Sequence, residues 1–183
     1  LFRSDIRKGE VSGWRRTLHM DQGTVTRSFD WTSPAGRTVH VETVRLVSFG
    51  VKNLMAMSYE VTPVNFDGEI TFLSVLDANV ENHTRKTNPL VDYGPFGRCL
   101  ITDRITADES MLFYQGTTEH SGLTMACGSV MTVKSPLTQE WSVTEDGLHC
   151  RHKIAVHGTK GQTITAEKQI AYTSSLDLEK NAM

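Results

Sequence analysis

The stretch Leu54–Asn82, LMAMSYEVTPVNFDGEITFLSVLDANVEN, constrains the fold more than any other part of the chain. Met55, Met57, Tyr59 and Val61 recur at period two, the spacing that lines one face of a β-strand. Ile70, Phe72 and Leu76 repeat the pattern over Glu69–Leu76, with Ser74 as the one polar member of that face. Pro63 has no backbone donor and closes the first strand. Asp67-Gly68 tolerates the positive φ that tight connections demand. The sequence therefore predicts a hairpin joining Leu54–Val61 to Glu69–Leu76 across Asn65-Phe66-Asp67-Gly68.

The rest of the chain carries the same kind of signal. Ser4–Val11 reads as the start of a strand, with Gly9 turning it before Val11 and Trp14. Thr24–Thr32 alternates Val25, Phe29 and Trp31, with Arg27 as the odd member of that face. Ser33-Pro34-Ala35-Gly36 supplies a turn into Thr38–Ser48, which makes a second hairpin. Within it the apolar phase moves from Val39 and Val41 to Val44 and Leu46, so a β-bulge is expected near Glu42-Thr43. His83–Arg98, with two prolines and two glycines, reads as a long loop.

Strands follow at Asp108–Thr118, around Met111-Leu112-Phe113-Tyr114, and at Gly122–Lys134. The latter holds Leu123, Met125 and Cys127, then Val130 and Thr132 beyond an interrupting Gly128. Gln139–Thr144 holds Trp141 and Val143, Leu148–Val156 alternates Leu148, Cys150, His152, Ile154 and Val156, and Gln162–Tyr172 closes the series. No window shows sustained helical spacing. Nine or ten strands divided by turn signals predict an all-β fold, an antiparallel β-sandwich. The polar tail Thr173–Met183 is expected to begin a linker or helix.

At 183 residues the chain suits one domain with a substantial core. Its net charge of −2 gives no general attraction to nucleic acid or acidic membrane, and Arg15-Arg16 and Arg85-Lys86 are too short to be basic patches. No apolar run reaches the length that spans a bilayer. The chain opens Leu1-Phe2-Arg3-Ser4 without an initiator Met, as a processed form or a piece of something longer would. Cys99, Cys127 and Cys150 fit neither a disulfide framework nor zinc spacing, so reduced, mostly buried thiols in a cytoplasmic protein are expected.

Candidate chemistry is sparse. In His149-Cys150-Arg151-His152, Cys150 and His152 share one face of a strand while His149 takes the other, so only two metal ligands converge. A core histidine is the better reading. No serine sits in the G-x-S-x-G turn that a hydrolase nucleophile requires. Asp108-Glu109 and Glu145-Asp146 are adjacent acids in or beside turns, where they cap local backbone and point apart, unlike a cooperating glycosidase pair. Trp14, Trp31 and Trp141 are candidate sugar platforms; Trp31 is in phase with Phe29 and reads as core, and the other two stay open.

The opening stretch also resembles a known family. Arg45 with Ser48, Tyr59-x-Val-Thr62-x-x-Asn65-x-x-Gly68-x-Ile70 and Ser74-x-x-Asp77-x-x-Val80-x-Asn82 are similar to the signature of the N-terminal domain in family 65 glycoside phosphorylases. Asp5-Ile6-Arg7-Lys8-Gly9 is similar to the family's preceding D-x-R-x-G element. The match covers roughly the first half of the chain; the second half adds its strand pattern and Glu167-Lys168. Asp77-Ala78-Asn79 departs from the family's more frequent Asp-Gly.

The family includes maltose, trehalose and kojibiose phosphorylases, which place a large β-sandwich before an (α/α)6 barrel that carries the catalytic glutamate and the phosphate site. The resemblance implies that residues 1–172 are most of such a sandwich, truncated at its start, and that residues 173–183 begin the linker to the barrel. It implies no catalytic residue and no metal or cofactor in this chain. The parent enzyme is expected to use inorganic phosphate as co-substrate, in inverting phosphorolysis of an α-linked glucose disaccharide such as maltose to β-glucose 1-phosphate and glucose. The partners implied are the barrel of the same polypeptide and, in the parent, a second copy in a homodimer. The loop His83–Arg98, with Arg85, Lys86 and Tyr93, is expected near the domain interface. The alternatives are an autonomous carbohydrate-binding sandwich and the same domain from a family 65 hydrolase.

Overall fold

The computed structural model describes residues 8–81, 97–135 and 139–177. Eleven strands form among them: β1 Glu10–His19, β2 Thr24–Thr32, β3 Thr38–Val47, β4 Leu54–Pro63, β5 Gly68–Asp77, β6 Leu100–Ala107, β7 Leu112–Thr118, β8 Thr124–Lys134, β9 Gln139–Glu145, β10 His149–Gly158 and β11 Ile164–Ser174. An eight-stranded sheet runs β1-β2-β3-β4-β11-β8-β7-β6, and a three-stranded sheet runs β5-β10-β9. Every pairing is antiparallel. The architecture is the expected all-β sandwich. Arg85, Lys86 and Tyr93 fall in 82–96 and lie outside the described residues.

The principal core lies between the two sheets. Phe29, Trp31, Val39, Val41, Val61, Met131, Val133, Ile164 and Ala166 come from the larger sheet and meet Ile70, Phe72, Ile154 and Val156 from the smaller. A second cluster of Ala78, Tyr114 and Cys127 sits further along, with Leu76, Ile105 and Ile170 packed on it. Alternation explains the faces: Met55, Met57, Tyr59 and Val61 share the inner side of β4, while Ile70, Phe72, Ser74 and Leu76 share that of β5.

The predicted hairpin does not form. β4 pairs with β3 and β11, whereas β5 pairs with β10, so residues 64–67 carry the chain from one sheet to the other. A local Asp-Gly signal serves either connection, and the choice is made by strands about a hundred residues away. Three turns meet at this crossing. Asn65 accepts from Thr38 N through Oδ1 and donates to Gly36 O through Nδ2, each at 2.8 Å. Asp67 Oδ1 accepts from Lys160 N at 2.6 Å, and Gly161 N donates to Pro63 O at 2.8 Å. Asn65→Ala removes two backbone partners at once. It should cost about 1–2 kcal/mol, read as a lower urea midpoint at unchanged m-value.

The expected bulge near Glu42-Thr43 is absent: β2 and β3 pair without a break from Thr24↔Leu46 to Thr32↔Thr38. Thr43, not Val44, continues the inner row after Val39 and Val41, and Val44 and Leu46 lie exposed on the outer side. The same correction holds in β8, where Ser129, Met131 and Val133 are buried and Val130 and Thr132 face out. Apolar residues on the outer face imitated a phase change. β1 extends well beyond the expected strand start at Ser4–Val11, β6 forms where no strand was expected, and β11 runs to Ser174.

The outer face near β2–β4 is acidic. Asp30 faces His40 across the ladder, Nδ1 to Oδ1 at 2.6 Å, with Glu42 3.5 Å from Nε2. The Asp30 hydrogen bond raises the His40 pKa above its ordinary 6.5, against a smaller opposing effect of burial. Because the folded-state value lies above the unfolded one, this contribution to stability is complete below pH 6.5 and fades as pH rises through the folded-state value. Asp30→Asn should lower the His40 titration midpoint followed by imidazole proton NMR; an unmoved midpoint would refute the pairing.

Candidate functional site

The polar residues of the Leu54–Asn82 stretch collect at the two ends of β5. At its start they form the crossing described above, with Thr62 Oγ1 joined to Thr163 Oγ1 at 2.7 Å and the Arg37 guanidinium 5.4 Å from the Phe66 ring centroid. At its end, Asp77 caps the chain's exit by accepting from Asn79 N at 2.7 Å. Asp77 and His149 are register partners at the edges of β5 and β10, so their side chains emerge on the same face.

His149 stands between two carboxylates: Nε2 is 3.2 Å from Asp77 Oδ1 and Nδ1 is 2.7 Å from Asp146 Oδ1. Arg151 Nη2 completes the group, 3.2 Å from Asp146 Oδ2. The hydrogen bond from His149 leads the effects that hold the Asp146 carboxyl below its ordinary range. Arg98 Nη2 donates to Asn79 Oδ1, which ties the residues on either side of 82–96 together. Glu119 N donates to Cys99 O at 3.0 Å, anchoring the start of β6 beside the end of β7. This edge is a charge-balanced, hydrogen-bonded rim. Its two acids, Asp77 and Asp146, are each engaged by a cation and by a backbone N–H.

The other sequence candidates resolve as structural groups. His152 is fully buried on the inner face of β10, its Nε2 2.5 Å from Asp108 O and its ring edge-on to Trp141. Cys150 is buried beside it, and burial pushes its thiol up, as it does for Cys127, the reverse of an activated nucleophile. Asp108 Oδ1 accepts from Ser110 N, Ser110 Oγ and Met111 N, which makes it a turn cap with a lowered pKa. Glu145 Oε1 accepts from Thr106 Oγ1 and Ala107 N. Asp146 caps its turn in the same way, accepting from His149 N at 2.9 Å, whereas Glu145 reaches across to the end of β6 instead of serving a turn. Trp31 is core, as its phase implied. Trp14 and Trp141 are each about half exposed, and Trp14 is engaged by Phe29 at 5.3 Å and by Arg27 at 4.9 Å. Among the described residues no group of three or more His, Cys, Asp or Glu is placed to hold a metal ion, and no helix is long and apolar enough to cross a membrane.

The model of the glycosyl hydrolase family 65 N-terminal domain matches residues 2–183. The chain belongs to this family. An α,α-trehalose phosphorylase of Thermoanaerobacter brockii is 30% identical over 181 residues, which is 98% of this chain and 23% of that protein. Another, from Geobacillus stearothermophilus, is 29% identical over 143 residues, covering 78% of this chain and 19% of that protein. A solved structure from the human microbiome, described as a candidate kojibiose phosphorylase, superposes with a TM-score of 0.74 over 97% of this chain and 22% of its own. At 11% identity that likeness speaks for the fold. This family 65 domain thus spans less than a quarter of the length of the relatives it matches.

Seen as a family 65 domain, the signature residues are the pins of the sandwich. Asn65 locks the crossing, Ser74 is buried opposite His152, Asp77 starts the rim, and Ser48 Oγ accepts from Val51 N at 2.9 Å to hold the β3–β4 turn. Sequence reasoning picked these positions by family likeness but missed the rim, whose other half, Asp146 to Arg151, lies some seventy residues further along the chain. The adjacency of Asp146 to His149 was visible; the pairing of His149 with Asp77 was not.

Proposed function

We propose that this chain is a non-catalytic N-terminal β-sandwich of a disaccharide phosphorylase, with residues 1–172 as the sandwich and 173–183 as the start of the linker to an (α/α)6 barrel. The observation that carries the reading is the family match along residues 2–183, together with phosphorylase relatives of which this chain spans only 19–23%. In this reading the barrel supplies the chemistry. Inorganic phosphate attacks the anomeric carbon of an α-linked glucose disaccharide with inversion while a carboxylic acid protonates the leaving oxygen, giving β-glucose 1-phosphate and glucose. No further cofactor takes part, and the enzyme works in the cytoplasm, in some members as a homodimer. Trehalose and kojibiose are the substrates that the relatives' names favour, ahead of maltose. Arg85, Lys86 and Tyr93 belong to the same proposal, as residues at the boundary with the barrel.

The test is direct. The 183-residue chain incubated with phosphate and trehalose, kojibiose or maltose should release no glucose 1-phosphate, while the longer polypeptide should release it from one of them. Turnover by the 183-residue chain would overturn the non-catalytic assignment. Hydrolysis without phosphate consumption by the longer polypeptide would overturn the phosphorylase assignment.

A further inference from the structure

Among the described residues the eight-stranded sheet is faced by a sheet of three strands, and the principal core stops part-way along its inner side. Beyond the row of Phe29, Val41, Val61 and Ile164, and apart from Ile170 on the second cluster, the inner face of β1–β4 and β11 continues with Val25, Met55, Met57 and Tyr172. All of these are half-buried or exposed. Four cations lie among them. Arg16 is directly opposite Arg27, and Arg45 and Lys168 flank Met57 from its two neighbouring strands. The inner positions of these five strands hold no Asp or Glu; Asp30, Glu42, Glu60 and Glu167 all take the outer side.

None of the four cations is in an ion pair among the described residues. Arg27 Nε is shielded from solvent without an acceptor, and its guanidinium lies 4.9 Å from the Trp14 ring centroid. Burial also holds the Lys168 amine below its ordinary pKa. Like charges set opposite one another on a ladder are destabilising, and a shielded charge without a partner more so. A half-apolar face with uncompensated positive charge fits a facing layer that brings alternate apolar and acidic side chains. A second copy of the same face is a poor fit, since it would set four cations against four.

We propose that the inner face of β1–β4 and β11 is the docking face for an acidic, alternating β-segment from elsewhere in the same polypeptide, its carboxylates pairing with Arg16, Arg27, Arg45 and Lys168. The proposal rests on reading the chain as part of a longer protein, but it is tested through stability and labelling, so it can fail while the phosphorylase reading stands.

Arg45→Glu should leave the unfolding midpoint of the 183-residue chain unchanged or raise it, because it places a carboxylate among three cations. In the longer polypeptide the same change should lower the midpoint of this domain by about 2–4 °C. The same shift in both forms would overturn the proposal. So would a dimer of the 183-residue chain in sedimentation equilibrium that Arg45→Glu dissolves. As a second readout, Lys168 should acylate with acetic anhydride at least about tenfold more slowly in the longer polypeptide than in the 183-residue chain, as an amine that gains cover does. Equal rates would count equally against it.

Discussion

Replacing Trp31 with alanine should lower the unfolding free energy by about 3–5 kcal/mol, the range for deleting a large aromatic from a core. Trp31 is 2% exposed and lies within the cluster where β2 and β3 meet the smaller sheet. In the same cluster Val39 and Val156 are held by ladders on both sides and Ile70 by its ladder with β10, so the space left behind cannot collapse freely. Urea unfolding followed by circular dichroism would read the loss as a reduced midpoint. A change below about 1 kcal/mol would mean that the indole is not packed as described.

Gly9→Ala should be the next most damaging small change, and it tests the same corner from outside. A methyl group on Gly9 would come 2.3 Å from Thr32 O and 2.7 Å from the Trp31 indole. The first contact is backbone in a strand and the second is a walled-in ring, so neither can give way cheaply. Overpacking of this kind costs about 1–3 kcal/mol. Gly50→Ala is the matched control, because nothing lies within 4 Å of the added carbon. Equal stability of the two variants would refute the close approach. The family's D-x-R-x-G element thus gains a physical reason: its glycine lets the chain pass over Trp31.

These two residues also show what a sequence can and cannot display. Trp31 was legible because its phase with Phe29 and Val25 is a local property of one strand. The faces of β4 and β5 were legible for the same reason, and both were assigned correctly. Pairing was not. Residues 64–67 carry the turn chemistry of a hairpin, yet β5 finds β10, whose residues begin 72 positions after Asp77. β1 was under-read because exposure along it is nearly continuous, and β6 because none of its residues is fully buried; each also has a register irregularity, between Ser12 and Arg15 and between Thr102 and Arg104. The rim was hidden for the reason that hid the pairing: Asp77 and His149 meet only through the β5–β10 ladder.

The placement of β11 has a consequence for how such a domain can be made. It is the last strand among the described residues, yet it occupies the middle of the large sheet, between β4 and β8. Until Ile164–Ser174 has been synthesised, β1–β4 and β6–β8 are two separate ribbons, each with an open edge at what will become the centre. Closing that seam needs contacts between residues about a hundred apart, a slow step in a fold rich in long-range pairing. Exposed edges during that wait invite pairing with other chains. A polypeptide stopped before Ile164 should therefore accumulate as aggregate, where one that reaches Ser174 can close its own sheet.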